Sequence, residues 1–505
     1  MKKLYFLFFS IALSLSICSI DSMAQSYIDV DPGVGTLNDA ITAHGGSKIY
    51  RLKRGDQALY FLTGSISNSG YHLTIVAEEG TGARPFLQPK TPDGGLSSRP
   101  FTPKGDLTIK GLHVTGIDDL GGNPAQRIIS CKADGIRVEI EDCWLDGDTQ
   151  SAIRVNNTGM SFIIKNSIIS NIGHPSSPNN GRGIDDRSQD IDTVIMEGCT
   201  FFNITSRIIR DDGGWIKYCR FKNNTAVNIG QFGVSFGEVG YLDMKDNLFM
   251  NAGFFPDNSI DDPRYIVGFE NIGKELINMG FTQEVNISNN SFWRDTAQMH
   301  PYLSDDAGLT LLFNEYAMEF VTAGGTEATI LDEMVEFADG PPFADSVLYY
   351  NFTPGVDPLK APFWELPPIP GGKFWHTVMY YDLDYKGIET VTGASDGKHL
   401  GDPRWDATLK DVTSVRDLNR NTSGLSVYPV PVDMQANISF TLMRDANVDI
   451  AVFNIVGKRV ATIEQSRYPA GTHTLTWNRK MLDPGMYMLR MNTGNKVNTV
   501  KILMK

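Results

Sequence analysis

Arginine and aspartate recur at matched positions in the middle of the chain. When the sequence is aligned on a repeating corner residue, Ile129, Ile153, Ile184, Ile209 and Val234 form an apolar column, and the following position reads Ser130, Arg154, Asp185, Arg210 and Ser235. Two residues further on stand Lys132, Asn156, Arg187, Asp212 and Gly237. If each segment is one coil of a stacked structure, neighbouring coils lie about 4.8 Å apart, so guanidinium and carboxylate groups face outward side by side. One reading is a cross-strand salt-bridge ladder, each exposed pair contributing at most about 1 kcal/mol. The other is a groove for an acidic sugar, because the arginine fork pairs bidentately with a carboxylate or a sulfate.

β-Elimination at a uronate needs a group that neutralises the carboxylate, a base for the C5 proton and an acid for the leaving oxygen. Arg154 and Arg210 suit the first role. Arg187, Lys217 or Tyr218 suits the second if burial or neighbouring cations lower its pKa. The catalytic candidates are therefore Arg187, Arg210 and Lys217, with Arg154, Asp185, Asp212 and Lys132 as substrate-binding candidates. None of them lies in a motif that matches a characterised lyase residue by residue. Hydrolysis through paired carboxylates among Asp185, Asp186, Asp211 and Asp212 ranks lower, since arginine neighbours hold carboxyls ionised and leave no general acid. The sequence leaves open whether the chain is an enzyme, with a polysaccharide lyase as the favoured class and a non-catalytic glycan-binding or adhesin-like protein as the main rival.

No cofactor is certain, and Ca²⁺ stays open. The same Asp cluster, or Asp261-Asp262 and Asp305-Asp306, offers the oxygen ligands Ca²⁺ takes, but there is no EF-hand loop, and Asp pairs in turns are more often plain turn residues; no metal site is assigned. The eight histidines form no His-Glu-x-x-His motif, and Walker and dinucleotide fingerprints are absent.

The elements that position these residues follow from the repeat. Its corner residues are Gly111, Asp142, Asn166, Gly198, Asn223, Asp246 and Asn289, mostly 23 to 32 residues apart. Two before them stand Ile109, Ile140, Ile164, Met196, Phe221, Met244 and Ile287, and four before stand Leu107, Val138, Phe162, Val194, Cys219, Leu242 and Val285. Each repeat thus carries an alternating strand, a polar corner and a second apolar strand, and it buries its apolar face only by stacking on the next. Asn171, Asn203, Asn228 and Asn251, five past the corner, suit an amide ladder. Together these features predict an all-β chain, a right-handed parallel β-helix followed by a small C-terminal β-sandwich. The repeat resembles the pectin-lyase-like superfamily. Residues 35–41 look like the capping helix of such proteins. Cys143 and Cys199 fall on coils too far apart for a disulfide, so free buried thiols are expected. The stretch from Met299 to Trp405 breaks the register and reads as irregular final coils, with a helix around Leu331 to Phe337. Its closing residues 397–405 look like a segment that ends secreted β-helix proteins of the Bacteroidetes.

The 505 residues carry 45 Lys plus Arg against 59 Asp plus Glu, a net charge of −14, with 41% hydrophobic residues. That excludes a mostly disordered chain and a globally basic nucleic-acid binder. Lys2 and Lys3, the apolar residues 4–17 and Ser22-Met23-Ala24 before Gln25 read as a signal peptide over residues 1–24. A lipoprotein cleaved before Cys18 is the alternative, and the bulk of Ile17 argues against it. The β-helix is expected over residues 25–418, a polar linker over 419–424 and the sandwich over 425–505. The last segment resembles the type A C-terminal sorting domain of the Bacteroidetes type IX secretion system, through Leu425-Ser426-Val427-Tyr428-Pro429-Val430-Pro431, residues 452–457, Pro484-Gly485-Met486-Tyr487 and residues 500–503. Val430 stands where the family more often has Asn. A carbohydrate-binding or fibronectin-like sandwich is the alternative. The resemblance implies a Gram-negative host, engagement of the type IX machinery, periplasmic passage, and release or attachment at the outer-membrane surface. No transmembrane segment is expected in the mature chain, and the expected partner is an extracellular acidic polysaccharide.

Overall fold

The computed structural model describes residues 26–46, 48–91, 99–119, 125–173, 180–210, 213–254, 264–296, 310–323, 330–331, 337–339, 382–385 and 393–405. In the C-terminal region it describes 425–428, 432, 434–442, 446–454, 458–469, 471–479, 482, 485–493 and 497–504. Successive coils stack their strands in parallel on three faces. The first face runs from Tyr27–Val30 through Leu107–Lys110, Arg137–Glu141, Met160–Lys165, Ile191–Glu197 and Trp215–Lys222 to Glu284–Ser288. The second runs from Gly33–Val34 through Trp144–Asp148, Ile168–Ile172, Thr200–Ile204 and Thr225–Ile229 to Ile330–Leu331. The third, called the arginine face below, contains Arg127–Ser130, Ser151–Arg154, Arg182–Asp185, Arg207–Arg210, the start of Val234–Lys245, Tyr265–Glu270 and Leu311–Phe313. The chain is a parallel β-helix.

The corners explain the repeat. Gly111, Asp142, Asn166, Gly198, Asn223, Asp246 and Asn289 all have φ between 47° and 70°. Only glycine, or the short polar Asn and Asp, adopts that left-handed backbone at low cost, which is why no other residue type appears there. Inside the coils, Val138, Phe162, Val194, Cys219 and Leu242 are buried in one continuous core with Ile109, Ile140, Ile164, Met196 and Phe221. The second asparagine column is also left-handed, with φ from 54° to 56°. Asn203 Nδ2 donates to Asn171 Oδ1 at 3.0 Å, and Asn228 Nδ2 to Asn203 Oδ1 at 3.3 Å, forming the amide ladder that the spacing predicts. A further ladder, one past the corner, links Asn224, Asn247 and Asn290.

The cap helix spans Thr36–His44 and buries Leu37 and Ile41 against the first coils. Cys131, Cys143, Cys199 and Cys219 are free and buried, and burial pushes the first three thiols up to about 12. The helix expected around Leu331 to Phe337 is corrected at both ends. Leu331 lies in a strand that extends the second face beside Asn290–Trp293, and Phe337 opens the antiparallel strand Phe337–Asp339; residues 332–336 lie outside the described residues. Pairing with an open sheet edge overrides local preference there, and the helix forms instead at Glu315–Ala323, where Ala317 and Val321, four apart, are buried.

Residues 393–405 return along the outside of the coils. Thr200 Oγ1 donates to Asp402 Oδ2 at 2.6 Å, Arg404 donates to the carbonyls of Asn166 and Ser167, and Trp405 Nε1 donates to Thr200 Oγ1. The C-terminal strands form two antiparallel sheets, Ser426–Tyr428 with Gln435–Leu442 and Gly471–Asn478, and Arg459–Tyr468 with Ala446–Asn454, Gly485–Asn492 and Val497–Met504. They enclose a core of Ile438, Phe440, Val452, Trp477 and Leu489.

Candidate functional site

The inward column of the arginine face sets its outward one. Ile153 pairs in register with Ile129 and Ile184, Ile184 with Ile209, and Ile209 with Val234. The next residue along therefore stacks Ser130, Arg154, Asp185 and Arg210, as the spacing predicts. Asp185 has no solvent exposure. Its Oδ2 lies 3.1 Å from Arg182 Nη1 and its Oδ1 2.9 Å from Arg210 Nη1.

Arg182 opens a second column that the sequence reading missed: Arg127, Ser151, Arg182 and Arg207 are in register three residues before the first. Strict alternation would send them inward with the isoleucines. Pairing instead skips Ala152, Gly183 and Ile208, and a Cβ on Gly183 would lie 2.4 Å from the Ile208 carbonyl oxygen. The alternation breaks at this level, so Arg182 and Asp185, three apart, meet on the outer side. The signal was available, since three guanidinium groups at one repeat position cannot all enter an apolar core. Arg99 lies nearby, since Phe101 bridges Ile129, Arg99 stands two before it, and its charge acts on Arg154.

Arg127 and Arg154 both donate to the side-chain oxygen of Gln150, Arg154 at 3.2 Å. Burial lowers the pKa of the Arg154 guanidinium; nearby Arg187, Arg99 and Arg210 lower it further, and Asp185 opposes them. Arg207 lies 3.7 Å above the Phe232 ring and donates to Ser235 Oγ at 3.1 Å. The columns end on aromatic residues: Phe232 meets Tyr265 edge-on at 5.3 Å, and the Tyr265 ring covers Gly268, where a Cβ would lie 2.2 Å from it.

The remaining candidates divide. Lys132 is exposed, beside Asn156, which donates to Ser130 Oγ at 3.1 Å and the Cys131 carbonyl at 2.7 Å. Arg187 is exposed at a left-handed corner, φ 56°. Lys217 stands on the first face, 2.5 Å from Asp192 Oδ1 and over the Trp215 ring, so both its partners lie off the arginine face. Tyr218 is on that face too, stacked on Tyr241 at 4.7 Å. Asp211, Asp212, Asp261, Asp262, Asp305 and Asp306 lie outside the described residues. Among the described residues, no three His, Cys, Asp or Glu are placed to hold a metal ion.

Residues 426–505 match the family described as the secretion system C-terminal sorting domain. The protein is accordingly secreted or displayed at the cell surface, and this domain is the part that engages the secretion machinery. No curated protein matches the chain. Among solved structures, a PL6 family alginate lyase, AlyGC, aligns at 16% identity and a TM-score of 0.24, over 54% of this chain and 34% of its own. No described helix is long and apolar enough to cross a membrane.

Proposed function

We propose that the arginine face binds an acidic, uronate-containing polysaccharide outside the cell, and that the protein cleaves it by β-elimination. The observation that carries this reading is the gathering of Arg99, Arg127, Arg154, Arg182, Arg207 and Arg210 on one outward face of a chain whose net charge is −14. An acidic protein repels a polyanion at long range, so a cationic strip of this kind serves an anionic ligand better than it serves solubility. Arg154 and Arg210 neutralise the sugar carboxylate, exposed Arg187 near Arg154 is the candidate base, and exposed Lys132 contributes to substrate binding. The proposal carries with it a cleaved leader over residues 1–24 and a Gram-negative Bacteroidetes host.

Non-catalytic glycan binding is the second reading. It is favoured by the positions of Lys217 and Tyr218, which point two of the base candidates at partners on another face. Hydrolysis is less favoured, because both oxygens of fully buried Asp185 are taken up by guanidinium groups. The test is ultraviolet absorbance of the secreted protein with alginate, pectate, glucuronan, ulvan and glycosaminoglycans, with and without Ca²⁺. Elimination leaves an unsaturated uronate that absorbs, so a rise on one polymer supports the lyase and names its substrate. No rise on any polymer, with retention of one in an affinity gel, supports the binding protein.

A further inference from the structure

The repeat places one arrangement twice on the arginine face, filled once and unfilled once. In the later copy, Arg182 stands three residues before Asp185, and Arg210 is next to Asp185 in the following coil; both guanidinium groups hold that carboxylate. In the earlier copy, Arg127 stands three residues before Ser130, and Arg154 is next to Ser130 in the following coil. The cations are the same and their register is the same, but a serine stands where the carboxylate was.

The guanidinium groups of this earlier copy are poorly satisfied. Arg127 is 8% exposed, and the acceptors of Arg127 and Arg154 are amide oxygens of Gln126 and Gln150 rather than carboxylates. The Nε atoms of both arginines are buried without a partner. Arg99, whose charge acts on Arg154, makes no ion pair with a described residue. A buried and a half-buried cation that share one neutral oxygen are costly to maintain, even with Asp185 next to Arg154 on its other side, and suit an anion that completes them.

We infer that Arg127, Arg154 and Gln150 form, beside Ser130, a subsite for one carboxylate of a uronate, which there takes the place that Asp185 takes in the later copy. This inference rests on the arginine face being a polysaccharide site and goes further, by fixing where the acidic group of one sugar sits. A planar monoanion suits two flat guanidinium forks approaching from adjacent coils about 4.8 Å apart.

The test places the missing carboxylate in the chain. In Ser130→Asp the new side chain fills the subsite, so the full-length protein melts at a higher temperature than wild type, whereas the neutral isostere Ser130→Asn does not. Sodium D-glucuronate raises the melting temperature of wild type relative to glucose at matched sodium chloride. It does so in neither Ser130→Asp nor Arg154→Gln, and Arg154→Gln weakens retention by an acidic polymer about tenfold. A Ser130→Asp protein that melts below wild type overturns the inference, since an ordinary buried site punishes a new carboxylate. If wild type and Ser130→Asp are retained equally by an acidic polymer, the subsite falls and the wider reading stands. If Ser130→Asp melts higher, glucuronate acts only on wild type and no polymer is retained, the subsite stands and the polysaccharide reading falls.

Discussion

The first face and the arginine face are built on the same coils, yet they use charge in opposite ways. On the first face, Lys110, Glu141, Lys165, Glu197 and Lys222 stack in register one residue before the corners, alternating in sign. Lys110 and Glu141 approach to 2.7 Å, and Lys165 and Glu197 to 3.2 Å, with side chains 27% to 47% exposed. The signs alternate over these five coils, and Lys245 then follows Lys222. On the arginine face, Arg127, Ser151, Arg182 and Arg207 stack with no carboxylate in their column, and Asp185 of the neighbouring column pairs with Arg182 and Arg210. The salt-bridge ladder weighed for the first arginine column forms there at Asp185, between Arg182 and Arg210, while a longer alternating ladder stands on the first face. A stack of like charges costs stability unless something else requires it, and comparison of the two faces separates charge that supports the scaffold from charge presented to a partner.

The largest effect should come from the single carboxylate that the arginine face encloses. Asp185→Ala removes the shared partner of Arg182 and Arg210 and should cost about 3–5 kcal/mol, read from denaturant unfolding. A loss below 1 kcal/mol would make this pairing no different from the exposed ladder. The structure also revises what Arg210→Ala should do: beyond weakening polysaccharide binding it strips a partner from buried Asp185, so its stability must be measured alongside its activity.

Next comes the scaffold common to both faces. Asn203→Ala loses two ladder bonds and places alanine at φ 56°, for a cost of about 2 kcal/mol, while Asn203→Gly should recover the backbone part of that loss. Equal unfolding midpoints for the two variants would show that the left-handed corner contributes nothing. A smaller effect is set by pH. Cys131, Cys143 and Cys199 have folded pKa values near 12 against an ordinary 9.0, so the unfolded chain loses these protons first as pH rises. Their contribution is intact below pH 9 and declines toward 12, by about 1.4 kcal/mol per thiol per pH unit. Replacing Cys199 with Ala should therefore flatten the alkaline limb of the stability curve; an unchanged slope would place that thiol in contact with water. Smallest of all, Lys165→Ala should change stability by less than about 1 kcal/mol and leave polysaccharide retention unaltered. Retention that falls with Lys165 would mean the ligand crosses the first face instead.

Much of this frame is legible in the sequence because period and corner chemistry are both strict. The seven corner residues are Gly, Asn or Asp since the backbone there is left-handed, and the apolar columns between them fix which coil pairs with which. From that register, the neighbours of Arg154, Asp185 and Arg210 follow directly. Arg127, Arg182 and Arg207 did not follow, because alternation was carried through a level where pairing skips Ala152, Gly183 and Ile208. Lys217 follows Arg210 by seven residues, yet the strand Arg207–Arg210 lies on the arginine face and Trp215–Lys222 on the first face. The docking of Asp402 on Thr200 joins residues about two hundred apart outside the repeat, and no local pattern encodes such a contact.

The most direct measurement is the electrophoretic mobility of the full-length protein and its Arg154→Gln variant in native gels cast with a polyuronate or with a neutral glucan. The arginine face predicts that wild type is retarded by a polyuronate and not by the glucan, and that the variant loses most of that retardation. Equal mobility of wild type in every gel, or equal retardation of the two proteins, would contradict it.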